Sequence, residues 1–184
     1  MIYKVGIIGM GKMGRIRKRE FDLHSGFEVV AICDVNTEVG TEFPHLFFSN
    51  NWEDIIDKTI NVVVVCTYNN IVPTIICRAL ENQLHVFSEK PPGSCVGDVE
   101  KIIKSEKKSP ESILKFGFNH RFHYSVMEAK ALIESGRYGN VLWARGIYGK
   151  AGSLDYMDNW RANPSLAGGG ILLDQGIHMI DLLR

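Results

Sequence analysis

The sequence predicts an α/β protein with a doubly wound parallel sheet, and three observations carry that reading. Short apolar runs alternate with stretches of helical period from the N-terminus to about residue 118. Those runs are almost continuously Val and Ile, as in Asn61-Val-Val-Val-Val-Cys66, which suits strands covered on both faces rather than one. A glycine-rich turn, Gly9-Met-Gly11-Lys-Met-Gly14, joins the first such run to the first helical stretch.

The elements follow in order. Strands are expected at Ile2–Ile8, Phe27–Cys33, Ile60–Cys66, Leu84–Phe87 and Ile113–Phe116, and helices between them at Lys12–His24, Trp52–Asp57, Val72–Glu81 and Val96–Lys107. Pro73 falls in the first turn of the third helix, where a missing N–H costs nothing. The alternation implies right-handed βαβ crossovers. Beyond residue 118 the pattern changes to a helix over Ser125–Glu134 ending at Gly136, and then a β-rich run from Val141 to Tyr148. A polar loop from about Gly149 to Gly169 and a final apolar helix over Ile171–Leu183 complete the chain. Residues 1–118 are read as one domain and 119–184 as the first part of a second.

Composition narrows the function classes. The 184 residues carry 21 Lys plus Arg against 21 Asp plus Glu, so the bulk positive charge that holds nucleic acid or an anionic membrane is missing. No apolar run reaches the roughly 20 residues of a membrane helix, and the N-terminus does not read as a signal peptide, so the chain is expected to be cytoplasmic. Cys33, Cys66, Cys77 and Cys95 form no C-x-x-C pair and have no His at zinc spacing; they read as reduced structural thiols, with no metal site expected.

Three constellations can carry chemistry. In the glycine turn, Gly9 permits the tight bend, Gly11 the approach of a pyrophosphate, and Gly14 the packing of helix on sheet, while the helix N-terminus offers its N–H groups to an anion. Asp34, 20 residues beyond Gly14 at the end of the next strand, can accept hydrogen bonds from both adenosine ribose hydroxyls and repel a 2′-phosphate. That favours NAD; Arg15, Arg17, Lys18 and Arg19 keep NADP open. The bland alternative is a structural turn with Asp34 as a helix cap. The second constellation, Ser88-Glu-Lys-Pro-Pro92, follows a strand at the sheet edge where open α/β sheets bind ligands. Pro91 restricts Lys90 to extended backbone and the bond between them can be cis, so Lys90 can stabilise a developing alkoxide; otherwise it is an exposed loop charge. The third runs from Gly168-Gly-Gly170 to Asp181 and sets Asp174 and His178 four apart in apolar sequence. On one helical face they form a proton-transfer pair, His178 as base and Asp174 orienting it or binding substrate, or else a buried structural hydrogen bond.

On these residues the chain resembles the glucose-fructose oxidoreductase, inositol dehydrogenase and MocA family of dehydrogenases. The matching pieces are Gly9 to Gly14, Asp34, Thr67-Tyr-Asn69, Glu89-Lys-Pro91, Gly117-Phe-Asn-His-Arg121, Trp160-Arg161 and Gly168 to His178, in the family's order. The resemblance implies an N-terminal Rossmann domain for NAD or NADP and a C-terminal α/β substrate domain. It implies hydride transfer to or from a sugar, cyclitol or nucleotide-sugar carbon, and homo-oligomeric assembly. It assigns catalysis to Lys90, Asp174 and His178. Cofactor contact falls to Gly9, Gly11, Lys12, Met13, Gly14, Asp34, Thr67, Asn69, Glu89 and Lys90, and the substrate cleft to Asn119, Arg121, Trp160 and Arg161. Val72 and Tyr68 depart from the family's usual histidine and proline, and the loop Lys150–Asn159 is expected to shape substrate choice.

Members of this family run to nearly twice the present length, so the chain reads as a complete nucleotide domain with an incomplete substrate domain. It is then expected to bind NAD, to turn over weakly or not at all, and to expose apolar surface. Two other readings stand beside the dehydrogenase. One is a dinucleotide-binding sensor or partner subunit that has lost catalysis. The other is a reductase of imines or tetrapyrroles, which the Asp-x-x-x-His segment after a glycine triplet disfavours.

Overall fold

The computed structural model describes residues 1–149 and 156–184. Six parallel strands form one sheet, β1 (Tyr3–Ile8), β2 (Phe27–Cys33), β3 (Phe47–Ser49), β4 (Val62–Val65), β5 (His85–Ser88) and β6 (Leu114–Phe116), in the order β3-β2-β1-β4-β5-β6. The helices are α1 (Lys12–Asp22), α2 (Glu38–Glu42), α3 (Glu53–Ile56), α4 (Val72–Glu81), α5 (Val96–Lys108), α6 (Tyr124–Glu134), α7 (Pro164–Ala167) and α8 (Ile177–Leu183).

Strand alternation explains the double winding. Along β4 all four valines are buried, but Val63 and Val65 join one core cluster while Val62 and Val64 join another. The first cluster gathers Ile55 and Ile56 of α3, Ile75, Ile76, Ala79 and Leu80 of α4, and Ile102 of α5; the second gathers Val39 of α2 and Phe21 of α1. A two-residue alternation read through valine alone therefore serves two opposite helical layers, which is why the strand shows no polar face.

The expected parallel α/β class and five expected strands are present, and a sixth strand joins them. β3 and α2 have no counterpart in the sequence reading, because three- and five-residue elements are too short to show a period, and β3 is fixed by its ladder with Ala31, Ile32 and Cys33. The run Val141–Tyr148 is a correction in the other direction. It forms no strand, and its apolar side chains before Tyr148 face outward, Leu142 at 92% and Trp143 at 78% exposure. β propensity selects extended backbone only where a neighbouring strand supplies the ladder, and among the described residues none lies beside it. The loop expected up to Gly169 holds 3-10 turns at Tyr156–Asp158 and Trp160–Ala162 and the short α7, which Asn163 caps by accepting from Ser165 N at 3.0 Å. No helix of the described residues is long and apolar enough to cross a membrane.

Candidate active site

The strand order reverses between β1 and β4, and such a switch point opens a crevice at the carboxyl ends of the strands. Gly9 lies in that crevice: its N–H donates to Cys33 O of β2 at 2.8 Å, and Cys66 N donates to Ile8 O at 2.8 Å. Gly9 adopts φ +92°, and a Cβ there would come within 2.6 Å of the Cys66 carbonyl carbon and oxygen, so both the conformation and the contact demand glycine. At Gly14 a Cβ would overlap the Gly9 carbonyl oxygen, which fixes α1 against the turn. At Gly11 a Cβ would meet nothing within 4 Å. That openness is what a phosphate-bearing ligand approaching the α1 N-terminus requires, so the residues present fit a dinucleotide.

A cavity of about 440 Å³ adjoins this turn, lined by Gly9, Gly11 and Asp34 on one side and by Thr67, Tyr68 and Trp160 on the other. Val35, Asn50 and Trp52 extend the wall past Asp34. Trp160 packs on Tyr68 with ring centroids 5.4 Å apart, so the substitution of tyrosine for proline noted in the sequence supplies a stacking partner. Asp34 is bonded on both oxygens, Oδ2 accepting from Met10 N at 2.6 Å and Oδ1 from Asn36 N at 2.9 Å. It thereby ties β2 to the glycine turn while facing the cavity. The Cys33 and Cys66 thiols in the same wall are pushed up to about 12 by burial, with the Asp34 carboxylate adding at Cys33 and Glu89 at Cys66.

Not every residue expected at the cofactor lines this cavity. Lys12 opens α1 and is exposed, and Met13 is half-buried beside it. Asn69 is buried, and its side-chain amide donates to Ala167 O at 2.8 Å, holding the loop after β4 against α7. Glu89 accepts from Arg17 Nε at 2.8 Å, an ion pair with both side chains at most 20% exposed and the guanidinium set over Phe87. Arg17 thus braces the loop that carries Lys90. Three other basic residues of α1 are also paired, Arg15 with Glu42, Lys18 with Asp22 and Arg19 with Glu20, while Lys12 at its first position is exposed.

The Lys90–Pro91 bond is cis, and Lys90 projects from the end of β5 to meet the segment before α8. Its Nζ donates to the Asp174 carbonyl at 2.6 Å and to Asp174 Oδ1 at 2.8 Å. Asp174 Oδ2 accepts from Gln175 Nε2 at 2.8 Å and lies 3.4 Å from Arg161 Nε as an ion pair without hydrogen-bond alignment. Burial opposes ionisation of Asp174, but Lys90, with Gln175 and Arg161, outweighs it and holds the carboxyl below the ordinary carboxylate range.

Here the expected Asp174–His178 pair is replaced by a different arrangement. Residues Leu172–Gly176 form a π-turn, not an α-helical one, and no hydrogen bond joins the two side chains among the described residues. Asp174 belongs to Lys90, across 84 residues of sequence. His178 is only 4% exposed, its Nδ1 has no hydrogen-bond partner among the described residues, and its ring stacks face to face on His120 with centroids 3.8 Å apart and planes 15° apart. Burial lowers its pKa to about 4, with His120 and Lys90 adding to the effect and Asp174 and Asp181 opposing it. His120 sits on a 3-10 turn, Asn119–Phe122, beside exposed Asn119. Arg121 of that turn donates from Nε to Asp181 of α8 at 2.6 Å, so its guanidinium serves the fold of the site. His120 is the residue that sequence reasoning left without a role; its only signal was its place in the Gly117–Arg121 motif. Of the loop expected to shape substrate choice, residues 150–155 lie outside those described. Among the described residues no group of three or more His, Cys, Asp or Glu is arranged to hold a metal ion.

Comparison with known proteins places this geometry. Residues 3–116 match the family model described as the oxidoreductase family with an NAD-binding Rossmann fold, and residues 126–184 match the GFO/IDH/MocA C-terminal domain. Levoglucosan dehydrogenase of Pseudarthrobacter phenanthrenivorans is 32% identical over 195 residues, covering 98% of this chain and 50% of that protein. The crystal structure of myo-inositol 2-dehydrogenase from Lactobacillus plantarum superposes with TM-score 0.90 at 27% identity, over 100% of this chain and 56% of that one. A levoglucosan dehydrogenase complex with NADH and levoglucosan gives TM-score 0.87 at 25% identity, over 100% and 54%. The chain therefore spans about half the length of these relatives. Two family models in sequence order, a glycine turn built for a dinucleotide and a lysine set against an aspartate at the same sheet edge make this chain a member of the GFO/IDH/MocA oxidoreductase family.

Proposed function

We propose that this site serves NAD-dependent oxidation of a hydroxyl, or reduction of the matching carbonyl, on a sugar or cyclitol, nucleotide sugars included. The observation that carries the reading is the Lys90 ammonium fixed on Asp174 at the carboxyl end of β5, the same edge at which the Gly9–Gly14 turn opens. When bound, the nicotinamide supplies the carbon that accepts or returns a hydride. Lys90 has three N–H donors; two are spent on Asp174, leaving one for a substrate oxygen. That donor steadies negative charge as it grows on the oxygen. His178, neutral at working pH, takes the hydroxyl proton. Asp174 and Arg161 hold the lysine in place, and Trp160 closes the cavity that receives the cofactor.

NAD is preferred to NADP in this reading because Asp34 sits at the end of β2 and four of the five basic residues of α1, Arg15, Arg17, Lys18 and Arg19, are committed to carboxylates of the chain. The division at residue 118, the assembly of copies and the roles of Asn119 and Arg121 toward substrate belong to the same proposal. Titration calorimetry with NAD and NADP, followed by NADH appearance with a panel of cyclitols and sugars, tests it. Tenfold or tighter preference for NAD is expected; equal affinity, or no binding of either, would overturn the reading.

A further inference from the structure

The 3-10 turn Asn119–Phe122 docks on α8 through two adjacent contacts. His120 stacks on His178, and Arg121 pairs with Asp181, one helical turn further on. Two neighbouring residues of the turn thus engage two residues of α8 that share a helix face, which fixes the rotation of α8 as well as its position. His120 is in turn held by Tyr148, stacked at 5.4 Å, and by His123, tilted at 5.0 Å. The edge of Phe118 meets His178 at 6.1 Å.

Among the described residues this surrounding supplies no acceptor to His178 Nδ1 and no carboxylate left free to pair an imidazolium. The groups that face the ring are accounted for. Lys90, from the loop after β5, brings positive charge; Asp174, from the π-turn, is neutralised by Lys90 and Arg161; Asp181, on α8 itself, is taken by Arg121, with Arg184 3.9 Å away. His123 and Tyr148 lie beyond His120. Two imidazoles at van der Waals contact, one of them buried, cannot both carry charge without mutual repulsion.

We infer that His120 is a positioning residue for His178: its stacked ring fixes the plane of the His178 imidazole and, by covering one face from water, favours the unprotonated form that a base requires. The inference rests on the proposed role of His178 in proton transfer, but the arrangement itself is present in the protein without substrate. His120 acts through His178 and needs no contact with the reacting atoms.

Side-chain NMR titration of the histidines in the full 184-residue chain, without cofactor, tests this independently of turnover. In the parent protein His178 is expected to titrate well below the ordinary imidazole value; a midpoint at or above that value would overturn the inference. In His120→Ala the His178 midpoint is expected to rise by at least one pH unit as water reaches the exposed ring face, and a smaller rise would overturn it. In His120→Phe, which keeps a ring in the stack, more than half of that rise is expected to disappear, whereas a rise equal to that of His120→Ala would show that stacking is not what acts and would overturn the inference. Failure of the NAD and sugar assays would leave these titrations unchanged, so the two readings fail separately.

Discussion

Gly11→Ala separates what the glycine turn does for binding from what it does for folding. Gly11 is the N-cap of α1 with φ −64° and ψ −163°, values that alanine adopts without strain, and its added Cβ meets nothing within 4 Å. Alanine is the poorer N-cap by about 0.5–1 kcal/mol, while the stiffer unfolded chain returns about 0.4–1 kcal/mol, so stability should change by no more than about 0.5 kcal/mol. The methyl group nevertheless stands at the mouth of the cavity, where backbone must approach the dinucleotide. A tenfold or greater loss of NAD affinity, about 1.4 kcal/mol, is the expected result. Gly14→Ala is the counterpart, since its Cβ falls on the Gly9 carbonyl oxygen, a backbone atom that cannot swing aside. It should cost about 1–3 kcal/mol of stability through displacement of α1. Urea denaturation and titration calorimetry on the same samples give both numbers. Wild-type NAD affinity in Gly11→Ala, or wild-type stability in Gly14→Ala, would refute the assignment of the turn.

Lys90→Ala should lower turnover strongly with NAD affinity nearly unchanged, and should let the Asp174 carboxyl titrate higher, which steady-state kinetics and carboxyl NMR would detect. Asp34→Ala leaves the buried Met10 with an unpaired N–H and should cost about 1–3 kcal/mol in a denaturation experiment while narrowing the gap between NAD and NADP in calorimetry. The lowered pKa of His178 makes stability depend on pH. The unfolded chain takes up its proton near 6.5 and the folded one only near 4, so stability is full above about 6.5 and falls as pH drops through that window. With solvent screening the loss amounts to about 1–2 kcal/mol; a denaturation midpoint flat between pH 7 and pH 4 would contradict it. Ile75→Ala, which empties a fully buried position between α4 and the sheet, should cost about 2–5 kcal/mol by the same measurement.

The parallel sheet was legible in sequence because its main strands are apolar and separated by stretches of helical period, and burial on both faces leaves a continuous hydrophobic record of β1, β2 and β4. The glycine turn was legible for a related reason: Gly14 answers to the Gly9 backbone five residues away and Gly9 to the end of the adjacent strand, while Gly11 between them keeps the approach open, and local spacing records such constraints. Short elements such as β3 left no period to read, and the run Val141–Tyr148 kept its β-forming composition without the partner strand that would make it one.

The candidate site divides in the same way. Lys90, Asp174 and His178 announce themselves by residue type and motif, and the sequence alone named all three. Their partners did not follow from spacing. Asp174 lies four residues from His178 but binds Lys90, 84 residues away, because a π-turn replaces the α-helical register and an ammonium at the end of β5 is the stronger donor. Likewise His178 rests on His120, and Arg121 reaches Asp181 across 60 residues, contacts that exist only once the turn after β6 is folded onto α8. Sequence determined which groups are available for chemistry, since composition and local geometry are written in neighbouring residues. Which of them meet, and in what state of protonation, was decided by tertiary packing, because charge pairing and burial depend on distances that sequence separation does not set.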